Sequence, residues 1–157
     1  MKITLLSIGK NSDKDIEKLI ERYVKRLTHY VKFENRSLPD AKVSKTDSRE
    51  RQKQLEGALL LNALSPADYV VLLDERGKEI SSVEYAEMLH GHSLRSTRNL
   101  VFVIGGPFGF CKEVYDRGDA MMSMSRMTMT HEMIRLFFIE QTYRAFTIIR
   151  GESYHHE

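Results

Sequence analysis

Three observations predict an α/β domain in which helices cover a largely parallel sheet. Segments of strand and helix character alternate along the 157 residues, and residues 69–73 are a continuous apolar run of the kind buried on both faces of a parallel sheet, a signature that residues 99–104 repeat. A glycine-rich turn, Gly105-Gly106-Pro107-Phe108-Gly109, follows the second run. A chain of 157 residues suits one domain, spanning 1–157.

The elements follow in order. Residues 2–9 alternate, then run apolar up to Gly9, and read as a first strand; Asn11-Ser12-Asp13 offers capping oxygens to a helix starting near Asp13. In that helix Ile16, Leu19, Ile20, Tyr23, Leu27 and Tyr30 form one apolar stripe, with Lys14, Lys18, Arg22 and Arg26 on another face. Residues 31–38 read as a second, polar-interrupted strand ended by Pro39-Asp40. A helix with a highly charged first half is expected over 44–62, broken by Ser65-Pro66. After the strand at 69–73, Asp74-Glu75-Arg76-Gly77 is expected to turn the chain, and Ser81 to open a helix to about residue 94. Beyond the glycine turn, a short helix over 110–117, a short strand over 120–125 and a last helix over 131–150 complete the pattern.

That last helix is apolar around most of its circumference, from Met133 to Ile149, so it must be covered on more than one side. With one sheet face available in so small a chain, a second subunit is the simplest further cover, and a homodimer is expected. Gly151 is placed to end the helix.

Composition narrows the function classes. Hydrophobic residues at 41% and charged residues at 29% are ordinary for a globular protein, and no apolar run is long enough to span a bilayer. The apolar stretch at the start is too short for a signal peptide, and the lone Cys111 allows no intrachain disulfide; a cytoplasmic location is expected. The net charge of +2 conceals an asymmetry: residues 1–53 hold 14 Lys and Arg against 8 Asp and Glu, and residues 54–157 hold 10 against 14. A basic N-terminal face can attract phosphates, although solvated helix faces share this look.

Several groups carry possible chemistry. The glycine turn does not fit G-x-G-x-x-G, and no Walker A sequence occurs, which disfavours nucleoside triphosphates. A glycine turn at the carboxyl end of a parallel strand is nonetheless where open α/β sheets bind ligands. Six of the eight methionines fall within 121–133, where soft side chains fill a core or line a pocket for a purine or sulfur-containing ligand. Cys111 reads as packing rather than as a nucleophile, since no partner histidine is marked out. Arg135 and Arg144 are charges in apolar surroundings, with Glu140 placed i, i+4 from Arg144 for an ion pair. The tail Tyr154-His155-His156-Glu157 gathers proton-handling groups but lacks the further ligands a metal site needs.

Taken together, Val103-Ile104-Gly105-Gly106-Pro107-x-Gly109, Ser125-x-Met127-Thr128-x-x-His131, Glu140-Gln141-x-Tyr143-Arg144-Ala145 and Gly151-Glu152-x-Tyr154-His155 resemble the ribosomal RNA large subunit methyltransferase H family, small SPOUT-class enzymes. Each motif is weak alone; their order and spacing along the whole chain make the combination specific. The resemblance implies a SPOUT-type sheet whose C-terminal helix threads the preceding loop as a trefoil knot, against the usual rule. It also implies transfer of a methyl group from S-adenosyl-L-methionine to N3 of a pseudouridine in 23S rRNA of the assembled ribosome, by a homodimer. Cofactor contacts are implied at Leu73, Gly105, Met124, Ser125, Arg126, Met127, Thr128 and Met129. On the substrate side, His155 is expected to accept a proton or orient the base, Tyr154 to hydrogen-bond or stack, and Arg144 to anchor phosphate or tail. The chain departs from the family at two positions: Thr130 stands where proline is usual, and His156 where Lys or Arg is common. Two other classes stay open from the residues alone, a non-catalytic RNA-binding module and a cysteine-dependent hydrolase built on residues 109–111.

Overall fold

A computed structural model describes residues 1–156; Glu157, the last residue of the polar tail, lies outside the described residues. The chain runs β1 (Lys2–Ile8), α1 (Lys14–Leu27), β2 (Lys32–Leu38), α2 (Arg49–Ala63), β3 (Tyr69–Glu79), α3 (Ser82–Leu94), β4 (Asn99–Ile104), α4 (Lys112–Arg117), β5 (Ala120–Ser123) and α5 (His131–Ile149). The five strands form one sheet in the order β2-β1-β4-β3-β5, and every pairing is parallel.

The strand period of two splits the core into two layers. Ile3, Leu5, Val71, Leu73, Phe102 and Ile104 face one side, where they meet Ile20 of α1, Leu89 of α3 and Phe138 of α5. Leu6, Val70, Leu72, Val101 and Val103 face the other, against Leu60 of α2 and Val114 of α4. Phe102 and Phe138, both fully buried with ring centroids 4.7 Å apart, lie at the centre of the first layer. Truncating either to alanine would cost about 3–5 kcal/mol.

Local signals set the helix starts. Asp13 accepts hydrogen bonds from the N–H groups of Asp15 and Ile16, and Ser48 from Arg51. Ser81 and Glu84 form a reciprocal capping box. Thr130 caps α5 by accepting the Met133 N–H at 3.2 Å. Gly151, at φ +68°, ends that helix.

Three elements differ from expectation. Helix α2 begins at Arg49 rather than near residue 44, because Ser44 and Asp47 close a separate turn through the Ser44 N–H and the Asp47 carboxylate, 2.8 Å apart. Helix α4 begins at Lys112, leaving Phe110 and Cys111 to bury in the second layer. Strand β3 does not stop at Leu73: residues 74–77 bulge out and the strand resumes, pairing Lys78 with Met122 and Glu79 with Ser123. Gly77 permits this, since a Cβ there would fall 2.6 Å from the Met122 backbone.

The apolar girth of α5 finds several covers inside one chain. The sheet takes Phe138 and Ile139, α1 brings Tyr23 against Tyr143, and α3 brings the Tyr85 hydroxyl to Thr142 at 2.9 Å. Met133 and Phe137, one helical turn apart, remain 45% and 37% exposed. Among the described residues no helix is long and apolar enough to cross a membrane.

Candidate active site

The carboxyl ends of β3 and β4, which pair Leu73 with Ile104, open into a cavity of about 1220 Å³. The glycine turn, residues 105–109, forms part of its lining. The glycine turn closes through the Gly109 N–H donating to the Gly106 carbonyl at 3.1 Å, with Gly109 at φ +81°. A Cβ on Gly105 would press on the Phe110 ring at 3.0 Å, and one on Gly106 would fall 2.1 Å from the Glu56 carboxylate. Side chains are thus excluded at these two positions by what packs behind the turn.

Seven of the residues expected to hold a cofactor line this cavity: Leu73, Gly105, Met124, Ser125, Met127, Thr128 and Met129. The methionine loop leads from β5 to α5, and the Ser125 hydroxyl shapes it by accepting the Met127 N–H at 3.0 Å. Arg126 is placed differently. Its side chain is 85% exposed and its Nε lies 3.3 Å from Glu79, off the cavity wall.

Other lining residues were not singled out from sequence. Asp74, the first residue of the bulge, accepts hydrogen bonds from the Tyr115 hydroxyl and from the Arg76 N–H at 2.9 Å. Burial opposes ionisation of Asp74, but the bonds from Tyr115 and Arg76 outweigh it and hold the carboxyl below its ordinary value. The Tyr115 phenol is raised in turn by burial and by its bond to Asp74. The Arg76 guanidinium lies 4.7 Å above the Tyr115 ring, and Phe110 meets that ring edge-on at 5.5 Å. An unbroken line of contacts therefore joins the β3 bulge to the glycine turn. The sequence signal was only an aspartate after a buried strand, which turn chemistry explained equally well.

Cys111 is 2% exposed and burial pushes its thiol pKa up, the opposite of an activated nucleophile. Among the described residues no group of three or more His, Cys, Asp or Glu is placed to hold a metal ion.

The tail forms a second cluster. Glu140 is its hub, accepting from Arg144 at 2.6 Å and from the Tyr154 hydroxyl at 3.0 Å. Arg144 stands 4.8 Å over the Tyr154 ring and brings Nη1 to 3.5 Å from His155 Nδ1. Burial, then hydrogen bonds with Tyr23 and Glu140, push the Tyr154 phenol well above its ordinary range. Tyr30 donates to Glu152 at 2.7 Å, anchoring the tail to the end of α1. Arg144, Tyr154 and His155 are thus together, but none of them lines the cavity. Ile134 of α5 does, and Arg144 lies ten residues further along the same helix, about 15 Å at 1.5 Å per residue.

Arg135 has a different use. Fully buried, it donates to the carbonyls of Ile8 and Gly9 at 2.6 and 2.7 Å and to Asn11 at 2.9 Å. One turn earlier, Glu132 accepts the N–H groups of Ser12 and Asp13. The first turns of α5 thereby grip both polarities of the loop after β1 and fix the exit of the methionine loop.

Residues 1–155 match the family described as predicted SPOUT methyltransferase. The chain is 49% identical over 156 residues to ribosomal RNA large subunit methyltransferase H of Christiangramia forsetii, covering 99% of each chain. It is 50% identical over 157 residues to the protein of that name from Porphyromonas gingivalis, and 48% identical over 157 residues to that of Flavobacterium johnsoniae, covering all of each chain in both cases. Among solved structures, a probable methylase family protein from Haemophilus influenzae superposes with a TM-score of 0.52 at 12% identity, over 99% of this chain and 70% of that one, a likeness of fold. From the match over residues 1–155 and the identity to these full-length relatives, the chain belongs to the SPOUT methyltransferases, in the ribosomal RNA large subunit methyltransferase H family.

Proposed function

We propose that this protein methylates N3 of a pseudouridine in 23S rRNA of the assembled ribosome, in the cytoplasm, drawing the methyl group from S-adenosyl-L-methionine. The observation that carries the reading is the cavity that joins Gly105 and Gly106, where a Cβ would be crowded out, to the methionine loop. A glycine turn with soft thioethers around it suits a purine nucleoside bearing a sulfonium, so the residues present fit this cofactor. When bound, it supplies an electrophilic methyl group. Leu73, Gly105 and the loop 124–129 would hold it, and their task is alignment, since methyl transfer needs nucleophile, carbon and sulfur in line.

On the substrate side, the N3 proton leaves as the new N–C bond forms. His155 accepts that proton or orients the base, Tyr154 stacks or hydrogen-bonds, and Arg144 anchors phosphate or tail. Because the tail cluster stands away from its own chain's cavity, the reading includes a homodimer in which one protomer's tail reaches its partner's cavity. The exposed pair Met133 and Phe137 on α5 offers apolar surface for that contact. Threading of α5 through the preceding loop as a trefoil knot completes the picture. The test is mass spectrometry of rRNA nucleosides from cells lacking the protein. Loss of an N3-methylated pseudouridine, restored by the wild-type chain, is expected; an unchanged nucleoside profile overturns the proposal.

A further inference from the structure

Glu56 is 5% exposed on α2, in the layer behind the glycine turn. Its Oε1 accepts the Gln52 side-chain amide at 2.9 Å, while its buried Oε2 has no hydrogen-bond partner, and no cation pairs with it among the described residues. The carboxylate lies flat on Gly106: a Cβ there would fall 2.1, 2.5 and 2.6 Å from Oε2, Cδ and Oε1. Gly57 repeats the close approach at the far end of the turn, where a Cβ would meet Cys111 Sγ at 2.3 Å. Residues 56 and 57 therefore seat the whole turn 105–111 against α2.

Packing alone does not explain the choice of side chain. A buried carboxylate with one oxygen unsatisfied is costly, and a methionine would fill the same space without that cost. What an uncompensated carboxylate adds is a negative field, and here it acts through one layer of bare backbone into the cavity. In a buried setting such a field is weakly screened. The methyl donor and its spent product differ at this point by one charge: the donor carries a sulfonium cation, the product a neutral thioether.

We infer that Glu56 is a positioning and specificity residue that seats the glycine turn and biases the cavity toward the cationic methyl donor over the neutral product. This rests on the methyl-donor reading proposed above. It gives the enzyme a means to release S-adenosylhomocysteine, since the bias disappears once the methyl group has left.

The test is calorimetric binding of S-adenosylmethionine and S-adenosylhomocysteine to the wild type and to Glu56→Gln, which keeps the shape and the Gln52 partner but removes the charge. The expected result is a Kd for S-adenosylmethionine raised roughly tenfold, with that for S-adenosylhomocysteine within about twofold. Equal weakening of both ligands, or no change in either, would mean that Glu56 only packs, and overturns the inference. Should Glu56→Gln fail to fold, Glu56→Asp is read instead: the preference for the donor persists with both affinities lower, and a collapsed preference overturns the charge role. A wild type that binds neither ligand overturns the methyl-donor reading itself, and this inference with it.

Discussion

The cavity and the tail cluster share one helix but are built from different material. The cavity is built around the glycine turn, where missing Cβ atoms let α2 and the Phe110 ring close in from behind. The tail cluster is side chain, a web of Glu140, Arg144, Tyr154 and His155 with Tyr30 and Glu152 at its edge. A turn built on glycines fails when a methyl group is added to one of them. A side-chain site behaves the opposite way, so variants can separate the two.

The sharpest separation comes from His155→Ala. If the tail serves the substrate, methylation of ribosomes falls by about 100-fold or more, while S-adenosylmethionine binding measured by calorimetry is unchanged. Retained turnover would remove His155 from the chemistry. Gly106→Ala attacks the other region. Its Cβ would land 2.1 Å from the buried Glu56 carboxylate, which Gln52 holds in place. Overpacking of this kind costs about 1–3 kcal/mol in denaturant unfolding, and cofactor affinity falls with it; unaltered binding would mean the turn is not the ligand surface.

A smaller effect tests how the tail is tied down. Donation to Glu152, aided by burial, raises the Tyr30 phenol from 10.0 to about 12. A group whose folded pKa is raised contributes stability that is fully present below its unfolded value and lost as pH climbs through the folded one. The window is therefore pH 10 to about 12, and Tyr30→Phe is expected to flatten the loss of stability across it. Thermal unfolding of both proteins over that range is the measurement, and parallel curves would show that the tail anchor adds nothing. The smallest effect is expected from Arg126→Ala. With its side chain 85% exposed and turned to Glu79, its removal should change cofactor affinity by less than about twofold, in contrast to truncation of a lining residue such as Met129.

Much of this was readable along the chain because it is local. The bounds of β4 match the strand read over 99–104, Ser81 opens α3 with its own capping box, and Glu140 finds Arg144 one turn on. The glycine turn and methionine loop were likewise visible as ligand-binding candidates, since what makes them so is the residue type itself. The Asp74 network was not visible, because its hydroxyl donor, Tyr115, is 41 residues away. Nor was the role of Arg135, whose acceptors at Ile8 and Gly9 lie 127 and 126 residues back.

Periodicity, caps and turn residues act over a few neighbours, so they specified ten elements in order and an α/β class. Packing decided what such signals cannot reach. It made the sheet order β2-β1-β4-β3-β5, returned β3 to pair with β5 beyond a turn that reads as a terminus, and enclosed α5 between α1, α3 and the sheet. It also laid Glu56 on Gly106, fifty residues away in sequence. These arrangements depend on which distant surfaces fit when the chain closes on itself, and a carboxylate facing a missing Cβ has no signature until both are in place.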